Sequence, residues 1–349
     1  LRRRVTGTTI VMWIIGLVIL AGVIYGAIST IAKAQYSPST WVDLIVFGLA
    51  QGSVYALIAL GYTMVYGILR MINFAHGEVF MAGAFIGYFI ATGLDKAGLL
   101  DKNIIVSEIL IFLGAMVTSA TIAVLLERIA YRPLRRAPRL VPLITAIGAS
   151  FFLQYTFRGF FGSGVKGYPE PEQLKGTITI LGIDILKTQV LVIVAAIVML
   201  IALWVFVQRT KTGRAMQAVS EDKDAASLMG INVDRMIVIT FLIGGALAGA
   251  AGVLFSTLFR QVFFLTGFIP GLKAFTAAVL GGIGNVAGAM VGGLFLGIAE
   301  SLFPNLVLDG LGIPAPYQLK DALAFLLLVL VLIFRPTGIL GERLSTKKA

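Results

Sequence analysis

No cysteine occurs anywhere in the chain, which excludes disulfides, thiolate metal sites and cysteine nucleophiles. A single histidine, His76, rules out a histidine-based metal cluster, and neither a Gly-x-Ser-x-Gly elbow nor a Walker lysine motif is present. Charge is scarce as well. Only 13% of the 349 residues are charged against 58% apolar, and the mean hydropathy is +0.96. That balance excludes a soluble globular domain and leaves little from which to build an active site. No catalytic residue, metal ligand or cofactor is therefore expected. The net charge of +11 would point to nucleic acid in a soluble chain, but membrane proteins accumulate Lys and Arg in their cytoplasmic loops, so no nucleic-acid partner is expected. The expected fold class is all-α, a polytopic membrane protein forming one transmembrane domain over residues 1–349 in contact with the lipid bilayer.

Ten apolar segments account for most of the length. The first runs from about Ile10 to Ile31 behind Arg2-Arg3-Arg4 and ahead of Ala32-Lys33-Ala34, which resembles a signal-peptidase site. At about 20 residues the run is long enough to span a bilayer and longer than a usual signal core, so it is expected to stay as helix 1 with the amino terminus inside. The others lie at about 42–69, 77–93, 107–127, 142–160, 188–207, 236–258, 262–281, 286–303 and 318–334. Alternation then puts Arg70, Arg128, Arg132, Arg135, Arg136, Arg139, Arg209, Lys211, Arg214, Lys223, Arg235, Arg335, Arg343, Lys347 and Lys348 in the cytoplasm with the three leading arginines. Eighteen of the 28 basic residues fall inside and ten outside, the sign that the positive-inside rule requires. Gly267, Pro270 and Gly271 interrupt the eighth segment, and such breaks are tolerated where helices bury one another or line a cavity.

The longest polar stretch with helical character is QRTKTGRAMQAVSEDKDAASLMGINVD, from Gln208 to Asp234. Ala215, Met216, Val219, Ala225, Leu228 and Met229 fall at three- and four-residue spacings, predicting one or two short amphipathic helices. Ala225-Ala226 makes a small flat face and Gly230 a sharp stop, the construction of a peg that fits a socket on another protein. The alternative is an amphipathic helix resting on anionic headgroups through Lys211, Arg214 and Lys223. The other long loop, 161–187, contains Pro169-Glu170-Pro171-Glu172 and a β-like TITILGID run. It reads either as a small hairpin that docks an extracytoplasmic partner or as a plain connector.

Small residues four apart mark close helix contacts: Gly48 and Gly52, Gly83 and Gly87, and Gly284, Gly288 and Gly292. Polar residues within apolar segments need an account because burying them in hydrocarbon is costly. Asn73, His76 and Glu78 sit at the inner end of the second and third segments, either as a water-accessible capped turn or as a gate in a pathway wall. Glu300 is expected near the outer face, paired or wet, and Tyr55 and Tyr66 are read as interfacial or packing aromatics. With the deep spans nearly free of charge, an ion-coupled secondary transporter is the weaker of two transport readings.

Four stretches in this order carry a family resemblance: GLAQGSVYALIALGYTMVYGILRMINFAHGEVFMAGA (48–84), AYRPLRRAPRLVPLITAIGAS (130–150), TKTGRAMQAVSEDKDAASLMGI with the following TFLIGGALAGAAGVL, and GLKAFTAAVLGGIGNVAGAMVGGLFLGIAE (271–300). Over about 42–340 the chain closely resembles the inner-membrane permeases of branched-chain amino acid ABC importers, the LivH type. Asn73 to Glu78 and Gly213-Arg214-Ala215 are the most specific matches. The resemblance implies a subunit without its own ATPase, partnered by a second related permease, two cytoplasmic ABC ATPases and an extracytoplasmic substrate-binding protein. It further implies that the segment 209–235 docks in an ATPase cleft, with Gly213, Arg214, Glu221, Asp224, Ala225, Ala226 and Gly230 as coupling residues. Asp224 stands where many importers have Glu, keeping the charge with a shorter reach. The implied cargo is a branched-chain amino acid, with urea or a short amide as the near alternative in relatives of similar motif.

Overall fold

The computed structural model describes residues 7–135, 137–138, 140–180, 183–314, 316–335 and 337–341. Of the basic residues assigned to the inside, Arg2, Arg3, Arg4, Arg136, Arg139, Arg343, Lys347 and Lys348 lie outside the described residues. Among the described residues there are twelve α-helices: α1 Gly7–Ala32, α2 Pro38–Leu69, α3 His76–Lys96, α4 Ile104–Leu126, α5 Leu140–Phe161, α6 Lys187–Arg209, α7 Lys211–Glu221, α8 Lys223–Leu228, α9 Val233–Phe259, α10 Phe268–Gly281, α11 Val286–Phe303 and α12 Lys320–Phe334. Among the described residues nine helical segments are long and apolar enough to cross a membrane. The eighth expected segment departs from the reading. Residues 260–267 form no helix, and α10 is only 14 residues long, about 21 Å. Of the three residues expected to interrupt it, only Gly267 lies in the break; Pro270 and Gly271 stand in the first turn of α10, where a missing backbone donor is tolerated.

At the centre stand α2, α3 and α9, whose apolar faces are buried nearly all round. α11 runs antiparallel along α2 at backbone contact. A Cβ on Gly48 would meet Ile298 Cα at 2.8 Å, and one on Gly52 would meet Leu294 Cα at 2.9 Å. The partner surface is itself small, since Gly293 abuts Ala56 and Gly297 abuts Gly52. Gly83 packs on Gly249 of α9, Gly87 on Val253, Gly288 on Gly281 and Gly292 on Ala277. Without a hydrophobic force between helices in lipid, the attraction comes from close packing of this kind. Gly284 is the exception. Its φ is +99° and no atom lies where its Cβ would be, so it serves the turn before α11 rather than a helix contact.

α1 lies on the periphery with most side chains exposed, consistent with a lipid-facing helix. Its Gly26 meets the Val307 carbonyl, where the end of α11 passes into a π-helical turn over Pro304–Leu308. At one face of the bundle, α7 and α8 follow α6. Thr210 caps α7 by accepting from the Gly213 N–H at 2.9 Å, and Asp222 caps α8 by accepting from the Asp224 and Ala225 N–H groups. At the opposite face, four short strands tie the loops down: β1 Lys166–Gly167, β2 Thr177–Ile180, β3 Ile183–Leu186 and β4 Gln261–Val262. The antiparallel hairpin β2–β3 forms within the TITILGID run, its turn at 181–182 lying outside the described residues. β1 pairs with β4, and Arg260 reaches Glu170 at 2.5 Å, so the loop is anchored to the end of α9.

Ser163 and Ser227 lie on the opposite faces and are both exposed. In a chain free of native cysteine, a single cysteine at 163 is expected to react with an impermeant thiol reagent added outside. One at 227 is expected to react only after the membrane is opened, and the reverse pattern would sink the orientation.

Candidate functional site

The site is made where two interrupted segments meet inside the bundle. α2 ends at Arg70, whose left-handed backbone (φ 55°) turns the chain and whose Nη2 donates to the Ser220 carbonyl of α7 at 2.9 Å. Residues 71–75 then fold back along α2, so that His76, the first residue of α3, lies beside Gly61. A Cβ on Gly61 would strike its imidazole. Gly61 lies nine residues before Arg70, about 13 Å along the helix. α3 therefore begins within the bundle rather than at its face. The second interrupted segment comes from the opposite side, where β4 and the turns at 263–267 lead into α10. A Cβ on Gly77 would meet Gly267 O at 2.6 Å and Gly271 Cα at 3.2 Å. The two helix starts are thus in backbone contact.

This arrangement revises the water-accessible capped turn. Asn73, His76 and Glu78 are 3%, 2% and 1% exposed, and α3 has no side-chain cap. The Asn73 Oδ1 accepts from the Tyr131 hydroxyl at 2.6 Å, tying the connection to the end of α4. His76 stacks edge-on against Tyr62 at 4.8 Å between ring centres, and its Nε2 has no partner among the described residues. The Glu78 Oε1 accepts from Gln154 Nε2 at 2.6 Å and from Ser150 Oγ at 3.2 Å, both on α5. A cavity of about 270 Å³ opens beside it. Its walls are Tyr62 of α2, Phe74, the first turn of α3 at Gly77 and Glu78, the α5 face at Ile147, Ser150 and Phe151, and the start of α10 at Gly267, Phe268, Gly271 and Leu272.

A second buried polar cluster was not legible in the sequence. Lys273 of α10, counted above as an outside cation, is 3% exposed and pairs with Glu300 of α11 at 2.9 Å. Tyr55 and Gln51 of α2 donate to the same Glu300 Oε2 at 3.0 and 2.6 Å, and Lys273 also reaches Asp321 of α12 at 2.6 Å. Glu300 is thus paired but dry, and Tyr55 is neither interfacial nor merely packed. Tyr66 is partly buried and lines a small crevice with Tyr62, Ile72, Phe275 and Ile283. The deep spans hold charge after all. One clue was the position of Lys273 in the middle of the short, largely apolar α10, where a cation must face either the bundle or the lipid.

The charged residues at the α7–α8 face are distributed differently. Arg135 bonds both Glu127 and Asp234, and Arg132 bonds Asp234 at 3.1 Å, joining the end of α4 to the start of α9. Lys223 is held below the ordinary lysine range by partial burial and then by the nearby Arg135 and Arg70 guanidinium groups. Of the proposed coupling residues, Arg214, Glu221, Asp224 and Ala225 are exposed, but Gly213 and Ala226 are buried. Gly213 packs against the Phe206 and Val207 carbonyls at the end of α6, where a Cβ would not fit. The flat pair is therefore split. Ala226 faces the bundle at 4% exposure, and the free end of α8 is Leu228 and Met229, 88% and 83% exposed. Gly230 has φ +83°, the left-handed turn expected of it.

A bundle of helices long and apolar enough to cross a membrane, with two interrupted segments meeting at a buried junction and an exposed helical knuckle on one face, is a polytopic membrane protein. Residues 44–332 match the family described as branched-chain amino acid transport system / permease component, and the chain belongs to that family. It is 43% identical over 305 residues to the high-affinity branched-chain amino acid transport system permease protein BraD of Pseudomonas aeruginosa, covering 86% of this chain and 96% of that one. It is also 43% identical over 298 residues to the permease protein LivH of Escherichia coli K12, covering 84% and 94%. The autoinducer 2 import system permease protein LsrC of Shigella flexneri stands further off, at 27% over 84% of this chain and 79% of its own length. The chain is accordingly a multi-pass permease component of the inner membrane.

Removing Lys273 alone leaves Glu300 buried without its cation, which costs about 3–5 kcal/mol. Lys273→Met is expected to lower the yield of folded protein and its melting temperature in detergent, and the double change Lys273→Met with Glu300→Gln to recover much of the loss. A double variant no more stable than the single one would contradict the pairing.

Proposed function

We propose that this chain is the membrane-spanning subunit through which branched-chain amino acids enter the cell, driven by ABC ATPases that dock on α7 and α8. The supporting observation is the way these two helices are held. α7 is fixed through Gly213 against α6, Met216 and Val219 are buried, and Arg70 of α2 clasps the Ser220 carbonyl. α8 instead presents Leu228 and Met229 to solvent. Exposed large apolar residues at a helix end, on a segment that also exposes Arg214, Glu221 and Asp224, suit a cleft on another protein. Motion of a docked ATPase would pass through α7 to Arg70, and from there to the connection 71–75 that positions His76 and Glu78.

The complete importer in this reading contains a second related permease, two cytoplasmic ATPases and an extracytoplasmic binding protein that delivers the amino acid near β2–β3. The chain supplies no ATP hydrolysis of its own. Identity above 40% to relatives named for branched-chain amino acids favours that cargo over urea or short amides. The buried Lys273–Glu300 charges are mutually compensated, so they do not require an ion-coupled mechanism.

No atom lies where a Gly230 Cβ would be, so Gly230→Val adds no clash and acts through backbone conformation. A β-branched residue in the left-handed region costs about 1–2 kcal/mol. The expected outcome is normal membrane insertion with co-purification of the ATPases and leucine uptake both reduced. Survival of both would remove the docking role of α8. His76→Gln, by contrast, is expected to leave co-purification intact while lowering uptake per assembled complex, and an unchanged uptake per complex would reject a gate at His76.

A further inference from the structure

Glu78 is buried and only half satisfied. Its Oε1 has two donors from α5, but Oε2 has no hydrogen-bond partner among the described residues. Oε2 is not turned into packed hydrocarbon. It faces Gly267, whose absent Cβ would stand 2.9 Å away, and Glu78 lines the 270 Å³ cavity. A buried carboxylate oxygen left bare is costly unless something supplies a donor. The cavity is near the lower end of the roughly 300–1,000 Å³ range of small-molecule sites, and most of its wall is apolar: Phe74, Ile147, Phe151, Phe268 and Leu272.

The first turns of α3 and α10 supply the opposite polarity. Neither helix has a side-chain cap and both begin at this cavity; the His76, Glu78 and Phe268 N–H groups bond the Asn73, Ala75 and Leu265 carbonyls, so the partial positive charge here comes from the two helix dipoles. Pro270 removes one donor from α10 but leaves the Ile269 N–H. One carboxylate, two helix starts and an apolar wall thus surround one small space. A cation of the size of a metal ion would leave the apolar wall without a role, and an apolar solute would leave Oε2 bare. A solute with an ammonium group, a carboxylate and a short branched hydrocarbon satisfies all three.

We propose that this cavity is a transient amino-acid site within the bundle, in which the Glu78 Oε2 receives the substrate ammonium, the first turns of α3 and α10 face its carboxylate, and Phe74, Phe151 and Phe268 contact its side chain. The proposal rests on the amino-acid cargo argued above. It gives the missing Cβ atoms at Gly77, Gly267 and Gly271 a second purpose, because side chains there would fill the space between the two helix starts.

Two measurements on the assembled importer test it. Glu78→Gln keeps an acceptor for Gln154 and Ser150 but removes the charge. Losing a charge-assisted bond of about 1.5–3 kcal/mol corresponds to a drop of roughly 10- to 100-fold in leucine uptake per assembled complex. Uptake within about twofold of the unmodified importer overturns the proposal. The second measurement keeps Glu78 and places a single cysteine at Phe151, which lines the cavity and is half exposed. Leucine is expected to slow its reaction with a thiol reagent, whereas 4-methylpentanoate, lacking the ammonium, and 3-methylbutylamine, lacking the carboxylate, are not. No protection by leucine, or equal protection by either analogue, overturns the site. An unmodified importer that assembles but takes up no leucine would instead refute the cargo assignment, so the two failures are distinguishable.

Discussion

Everything in this fold depends on how a backbone interrupted within a bilayer keeps its polar groups from hydrocarbon. Regular helix solves that problem within each segment, and nine segments use it. Residues 71–75 and 263–267 do not. Each is buried towards its inner end, at Asn73 and Ala75 in one and at Thr266 and Gly267 in the other, and they end against each other at Gly77 and Gly267. Glycine on both sides is what permits the contact, since a Cβ on either residue would overlap the other's backbone. The short α10, the depth at which α3 begins and the cavity beside Glu78 all follow from this one junction.

Charge is distributed according to the same constraint. Where side chains reach water, like charges are tolerated near one another, as Lys223 is near Arg135 and Arg70, with Glu127 and Asp234 pairing Arg135. Where they do not, each charge has a partner on a neighbouring helix. Lys273 is met by Glu300, with Tyr55 and Gln51 filling further positions on the same carboxylate, which links α2, α10, α11 and α12. Such a cluster is weak as a source of net stability, but removing one member is costly, so it fixes the register of the half-length helix. Glu78 shares with Glu300 and Glu127 one oxygen without a partner among the described residues, but it is the one of the three that borders the junction cavity.

Much of this was legible in the sequence because hydrocarbon imposes length and composition on each span. Except for the eighth, the segments from helix 1 to 318–334 appear as helices near their expected bounds, the interruption of the eighth ends at Gly267, and Gly48, Gly52, Gly83, Gly288 and Gly292 lie at backbone contacts. Less legible was anything that depends on which helices are neighbours. Lys273 and Glu300 are 27 residues apart, and no local pattern distinguishes a cation facing a carboxylate from one facing lipid. The same limit hid the partners of Asn73 and Glu78, supplied by Tyr131 and by Gln154 and Ser150. The helical period of 213–229 left one or two amphipathic helices open, and the structure has two, in which the adjacent Ala225 and Ala226 point about 100° apart. Only one of the two could belong to an exposed face.

Coupling and passage are joined by a short physical route. Arg70 touches α7 at one end and begins the connection to α3 at the other, so a displacement of α7 reaches Glu78 through eight residues of chain. A shift of that connection would alter the Gly77–Gly267 contact and with it the width of the space between the two helix starts. The most direct measurement is a high-resolution density map of the assembled importer held with leucine during transport. The account predicts density for the amino acid between Glu78 and the first turn of α10, with Gly77 and Gly267 still facing across it. Leucine located elsewhere, with that junction packed shut, would contradict it.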